Sequence, residues 1–289
     1  MVNESLTRYF EMLDKAKRIE KEVIDLENDH KLALKAAEES IVLLKNSDDV
    51  LPLKKEQSIG LIGALAESLR FQGGGRSKVN PTKVISLKNA MLEYGATFTY
   101  SKGYDLADET CDEDMIKEAC RIAKDKDVLV VAIGLTDAFE TEGVDRYNLK
   151  IPSNQFQLVK ALKEIHDNIV YVLFGGAPFR VPFTENAKAI VNAYLPGQAG
   201  GKAINKILFG HVNPSGKLNE TWPLKRSDIP SVQYFANQPY YQHYRESIYV
   251  GYSYYDKAEK DVLYPFGYGL SYTTFSYSDL TVSKATLAE

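Results

Sequence analysis

Four stretches of the chain are apolar almost without a break and end at a glycine or a turn: SIGLIGA (58–64), DVLVVAIGL (127–135), NIVYVLF (168–174) and KAIVNAY (188–194). A strand with one wet face alternates apolar and polar residues, whereas a strand covered on both faces does not. These runs therefore predict strands of a parallel sheet held between helices. Helical spacing at 84–94, 112–125, 153–166 and 199–209 supplies the crossovers. The fold class that follows is α/β, a doubly wound, mostly parallel sheet. Upstream, residues 5–27 carry Leu6, Phe10, Leu13, Ala16 and Ile19 at helical intervals. Asn28–Asp29 then reads as an N-cap for a second helix, HKLALKAAEESIVLLKN, which the turn SDDVLPL ends.

Past about residue 210 the periodic pattern gives way to Pro, Gly and Tyr, as in NPSGKLNETWP, NQPYYQHYRESIYVGYSYYD and YPFGYGLSYTTF. Disordered segments are poor in aromatics, so this loop-rich segment is expected to pack over the sheet. The last stretch, TTFSYSDLTVSKATLAE, alternates like an opening strand.

Composition narrows the function classes. With 289 residues, 44% of them apolar and 26% charged, the chain can bury a sizeable core. A net charge of -4 and the lack of a basic stripe argue against nucleic acid as a partner. No apolar stretch nears the roughly 20 residues of a membrane span, and the charged opening lacks the apolar centre of a signal peptide; a cytoplasmic location is the expectation. Cys111 and Cys120 sit nine residues apart in a helical-looking stretch, about 13 Å along a helix, too far for a disulfide. They read as buried thiols of a reducing compartment. Four scattered histidines form no metal motif, and no cofactor signature is present.

Ligands of open parallel sheets bind beyond the carboxyl ends of the strands. The loop after 127–135, TDAFETEGVDRYNLKIP, holds Asp137, Glu140, Glu142 and Asp145. Glycosidic cleavage needs a pair of carboxyl groups across the scissile bond, and Glu142, followed by the turn-forming Gly143, suits the proton donor. The other reading is of solvated loop charges, with Asp145 and Arg146 in local ion pairs. The loop after 58–64 reaches RFQGGGRSKVNP, where Gly73–Gly75 could cradle an anion or let the loop pass close to another segment or a sugar. His243, amid tyrosines, is the one histidine in a ligand-facing setting.

Taken in order, AAEESIVLLKN with LPL, RFQGGGRSKVNP, GLTDAFETEGVDRYNLKIPSNQ, YLPGQAGGKAINKILFGHVNPSGKLNETWP, ESIYVGYSYYD and YPFGYGLSYTTFSYSDL resemble the landmarks of glycoside hydrolase family 3, across residues 36–280. The resemblance implies the α/β sandwich domain (31–270) that packs beside a (β/α)8 barrel to form a retaining β-glucosidase site. By it the barrel supplies an Asp nucleophile, and the ETEGVDR loop supplies the acid/base: Glu142, with Glu140 as second choice. Gly74, Arg76, Ser77, Asp145 and Arg146 are then the substrate contacts. Residues 1–30 resemble the end of the barrel and its linker, and 271–289 the start of a fibronectin type III-like strand. Ser247 and Ser253 stand where the family more often has Gly and Arg. No barrel is encoded in these residues, so the chain looks cut on both sides and inactive alone. Its expected partners are a β-glucoside or related oligosaccharide, a barrel in the same or another chain, and a second copy of itself. Two alternatives remain: a non-catalytic carbohydrate-binding or assembly domain, and a flavodoxin-like nucleotide binder with phosphate at Gly73–Gly75. Aromatic residues between 222 and 272 are the expected members of the partner-facing patch.

Overall fold

The computed structural model describes residues 2–18, 24–182, 184–235 and 240–283. Its centre is a six-stranded sheet of β1 (Val42–Asn46), β2 (Ile59–Ile62), β3 (Phe98–Ser101), β4 (Val128–Gly134), β5 (Ile169–Phe174) and β6 (Ala189–Tyr194). The strands lie in the order β1-β6-β5-β4-β2-β3. All neighbours are parallel except β1, which pairs antiparallel with β6. Every residue of β2, β4 and β5 is buried, as their unbroken apolar runs require. The four predicted strands and four crossover helices thus appear at their expected places. The helices are α3 (Leu87–Tyr94), α4 (Glu113–Ala123), α5 (Ser153–Lys163) and α6 (Gly200–Leu208).

From β2 the chain runs outward through α3 to β3, then returns through α4 to β4 on the other side of β2. Right-handed crossovers in opposite directions place their helices on opposite faces. Accordingly α3 packs with α6, and α4 with α5. The reversal makes β2 and β4 the topological switch point, so the loops leaving their carboxyl ends open into one crevice.

Several expectations are corrected. The second helix, α2, spans Leu26–Ser40, capped by Asp25, whose side chain accepts from the Asn28 amide at 3.0 Å; the expected cap at Asn28–Asp29 lies inside it. IVLLKN is not its end: at Ile41 the backbone turns extended (ψ 134°) and β1 begins. An apolar run of this length suits a buried helix or strand equally, and the free edge of β6 decides it. The first helix, α1 (Val2–Lys17), buries no residue; Ile19, expected to continue its apolar side, lies outside the described residues. Cys111 is exposed and Cys120 half-buried, because Asp112 caps α4 and leaves Cys111 ahead of the helix.

The aromatic segment divides in two. A short antiparallel pair, β7 (Trp222–Pro223) with β8 (Val262–Tyr264), packs on the sheet domain. Trp222 is 1% exposed against Phe179 and Tyr264, so it is core and not partner surface. Residues 240–250 stay on the surface, followed by the short helix α7 (Tyr252–Lys257). The strand expected within 271–289 does not form over 271–283: the chain makes a single bridge to the sheet margin just before it, at Leu270 with Leu43, and continues without strand pairing; residues 284–289 lie outside the described residues. No described helix is long and apolar enough to cross a membrane.

Candidate functional site

The sheet ends at Gly134, whose φ of +155° and close approach to the Phe174 carbonyl leave no room for a side chain. Gln155 of α5 holds this point with both ends of its amide, accepting from the Gly134 N–H at 2.8 Å and donating to its carbonyl at 3.0 Å. The β4 loop, 135–152, starts from this fixed base. Its tip is a tight turn in which Thr141 bridges Val144 across Glu142 and Gly143, and Gly143 adopts φ +86°.

The β2 loop (63–86) lies against it. Arg70, 6% exposed, reaches under the β4 loop and donates to the Leu135 carbonyl, the Glu140 carbonyl and Glu140 Oε2, each at 2.8 Å. Its Nε lies 3.5 Å from Asp137, which also meets Lys78 at 2.5 Å. Further along, the Arg76 amide donates to Glu142 Oε2 at 2.6 Å. The glycines permit this contact: a Cβ on Gly75 would stand 2.5 Å from Glu142 Cβ, and one on Gly74 2.7 Å from Thr141 Oγ1. The glycine run therefore serves close approach of two loops. The Arg76 amide is taken by Glu142 rather than left for a phosphate, which counts against the nucleotide reading.

The two candidate carboxyls differ. Glu140 is largely enclosed, and its Oε2 also accepts from the Gly176 amide at 2.8 Å, tying in the loop after β5. Glu142 stands exposed at the tip with Gly143, Val144 and Asp145. The sequence-predicted residues Gly74, Arg76, Glu140 and Glu142 thus come together; the side chain of Ser77 lies outside the described residues. Arg146 points away, donating to the Pro178 carbonyl at 3.0 Å and the Asn148 carbonyl at 3.3 Å. It is not paired with Asp145. Burial depresses its guanidinium's pKa.

Two functional candidates escape the sequence reading. Arg70 is a lone cation in the apolar stretch GALAESLRF, an arrangement that signals a paired buried charge. Glu220 lies between Asn219 and the buried Thr221–Trp222, and burial, reinforced by the Glu140 carboxylate and opposed by Arg146, pushes its carboxyl up to about 7. With Arg146 and Pro178 it lines a cavity of about 470 Å³ beside the β4 loop, walled further by Phe235 and Tyr255. Nearby Tyr194, in the left-handed region at φ +52°, donates its hydroxyl to Asn219 at 3.1 Å. Burial raises that phenol to about 12. Among the described residues no His, Cys, Asp and Glu cluster is placed to hold a metal ion. His243 sits in the exposed 240–250 surface.

A family model, the glycosyl hydrolase family 3 C-terminal domain, matches residues 41–272. The chain is 43% identical to the thermostable beta-glucosidase B of Acetivibrio thermocellus, matching 100% of this chain and 39% of that protein. It is 39% identical to an exo-alpha-(1->6)-L-arabinopyranosidase of Bifidobacterium longum, over 90% of this chain and 36% of that protein. The crystal structure of a GH3 beta-glucosidase from Bifidobacterium adolescentis matches at a TM-score of 0.86 and 40% identity, covering 90% of this chain and 39% of that one.

Proposed function

Because the chain belongs to glycoside hydrolase family 3 and carries its C-terminal α/β domain, we propose that this domain supplies the acid/base of a retaining β-glycosidase, acting on β-glucosides, and that this residue is Glu142. The observation that carries the reading is the contrast of the two carboxyls. Glu140 is tied to a buried arginine and a backbone amide, whereas Glu142 projects from the loop tip beyond both.

In this reading a barrel domain, for which these residues hold no counterpart, brings an Asp to the far side of the sugar. Glu142 donates its proton to the glycosidic oxygen as the Asp carboxylate attacks the anomeric carbon, forming a glycosyl ester and releasing the aglycone alcohol. Glu142, now a carboxylate, takes a proton from water as that water attacks the anomeric carbon and frees the Asp. The chain spans 39% and 36% of the two relatives' lengths, which supports a barrel as its partner. Val144 and Tyr147, 60% and 81% exposed on the same loop, supply apolar surface for the barrel to cover. The relatives sharing this domain are named for different sugars, which fits a sugar read mainly by the barrel.

The test is Glu142→Ala in the chain joined to its nucleophile-bearing barrel. Turnover of an alkyl β-glucoside should fall about 10²- to 10⁴-fold, while for a 2,4-dinitrophenyl β-glucoside, whose aglycone leaves without a proton, azide should restore turnover by attacking the glycosyl ester in place of the base-activated water, giving β-glucosyl azide. The unjoined chain should release no nitrophenol from 4-nitrophenyl β-glucoside; release abolished by Glu142→Gln would make the two-domain site wrong.

A further inference from the structure

We propose that Arg70 and Glu140 form a positioning pair that sets where the acid/base carboxyl stands, an inference that rests on the assignment of Glu142 above. Three sheet-end loops converge on this pair. Arg70 comes from the β2 loop, Glu140 from the β4 loop, and the Gly176 amide from the loop after β5. The guanidinium grips the β4 loop at its first residue, through the Leu135 carbonyl, and again at Glu140, two residues before the acid, through both carbonyl and carboxylate.

The same β2 loop then holds Glu142 itself. Gln72 and Val79 pair across its base at 3.0 and 3.1 Å, Gly74 and Gly75 lie flush against Thr141 and Glu142, and the Arg76 amide donates to Glu142 Oε2. The segment from 70 to 79 is thus a cradle whose inner wall is the ion pair and whose outer wall is the acid's hydrogen-bond partner. A buried guanidinium with a fixed fork of donors is suited to hold such a loop in register. Displacement of a reacting group by about 1 Å costs on the order of 10²-fold in rate, and the pair sits where it controls that displacement.

The experiment compares kcat/KM for two β-glucosides on the enzyme carrying this domain with its barrel. A 2,4-dinitrophenyl aglycone leaves without a proton; an alkyl aglycone needs one. Glu140→Gln should lower kcat/KM for the alkyl glucoside roughly 10²-fold and for the dinitrophenyl glucoside less than about threefold, and azide should not raise its kcat on the dinitrophenyl glucoside, because the Glu142 carboxyl is still present to repel the anion. Arg70→Lys should follow the same pattern. Where either variant fails to fold, Asp137→Asn, which alters only the outer contact, should show a selective loss of roughly fivefold on the alkyl substrate.

Equal losses on both substrates would reduce the pair to a structural role and overturn the proposal, as would no loss on either. Azide rescue of Glu140→Gln, with none for Glu142→Ala, would make Glu140 the proton donor and overturn the assignment of Glu142. Steep leaving-group dependence and azide rescue of Glu142→Ala, with Glu140→Gln unaffected, would keep that assignment and discard the positioning pair alone.

Discussion

The β4 loop and the surface stretch 240–250 are both irregular and both carry exposed side chains, yet they are held differently. The first is pinned by Gln155 at its root, Arg70 beneath, the Arg76 amide at its tip and the Pro178 carbonyl on its return. The second presents Tyr240, Tyr241, Tyr244 and Ile248 at 73–86% exposure. An irregular loop acquires a fixed shape by having its polar groups satisfied from several directions, whereas aromatic surface acquires one when another surface covers it. The acid-bearing loop is therefore organised within this domain, and the tyrosine surface is suited to organisation by contact.

The comparison breaks most visibly at Arg70. Arg70→Ala leaves Glu140 enclosed without its cation, and breaking such a pair costs about 3–5 kcal/mol. Urea denaturation should show that loss, and the double variant Arg70→Met/Glu140→Leu should recover much of it. Gly75→Ala comes next. Its positive φ and the 2.5 Å approach to Glu142 predict a cost of about 1–3 kcal/mol, and, if Glu142 is the acid/base as proposed, the chain joined to its barrel should lose more turnover than the fall in melting temperature explains.

A smaller effect separates by pH. The Glu220 carboxyl, raised to about 7 in the fold, binds its proton more tightly folded than unfolded. The stabilisation from that proton is complete below the unfolded value near 4.5 and lost as pH rises through about 7. Glu220→Gln, which cannot ionise, should be more stable than the parent by about 1 kcal/mol at pH 8.5, allowing for screening of a partly exposed group, and equal to it near pH 4. Thermal melts at the two pH values measure the difference. The smallest change is expected on the surface stretch. Replacing Tyr240, Tyr241 and Tyr244 by Ser should move stability by no more than about 0.5 kcal/mol while weakening barrel association in a pull-down with the separate barrel. A loss above about 2 kcal/mol would erase the distinction between the two regions.

The fold was legible where local pattern and tertiary environment agree. The runs ending at Gly134 and Phe174 are apolar throughout because both faces are covered, and the sequence carries that directly. Residues 41–46 were not legible: IVLLKN continues the helix before it as readily as it forms a strand, and only its pairing with Asn192 and Val191 on β6 settles the matter. In the site, Glu142 and Gly143 could be singled out from the acid content of one loop and the family resemblance. Glu140 could be placed only second to Glu142 in the same motif, and the contact that distinguishes it, an arginine 70 residues away, is not a local feature. Glu220 offers no local signal, since its burial comes from chain segments that meet only on folding.

The short antiparallel strand β1 has a consequence for aggregation. It forms one margin of the sheet, and Leu270 bridges Leu43 on its outer side, its amide donating to the Leu43 carbonyl at 2.8 Å. Gly216 and Gly269 allow the chain to press close there, against Ile41 and Val42. A strand margin left bare is a template for other chains. The segment around Leu270 thus covers part of an apolar strand's outer edge and takes up the Leu43 carbonyl, so releasing it by a protease cut is expected to make the folded domain more prone to edge-to-edge assembly, seen as faster aggregation of the nicked protein.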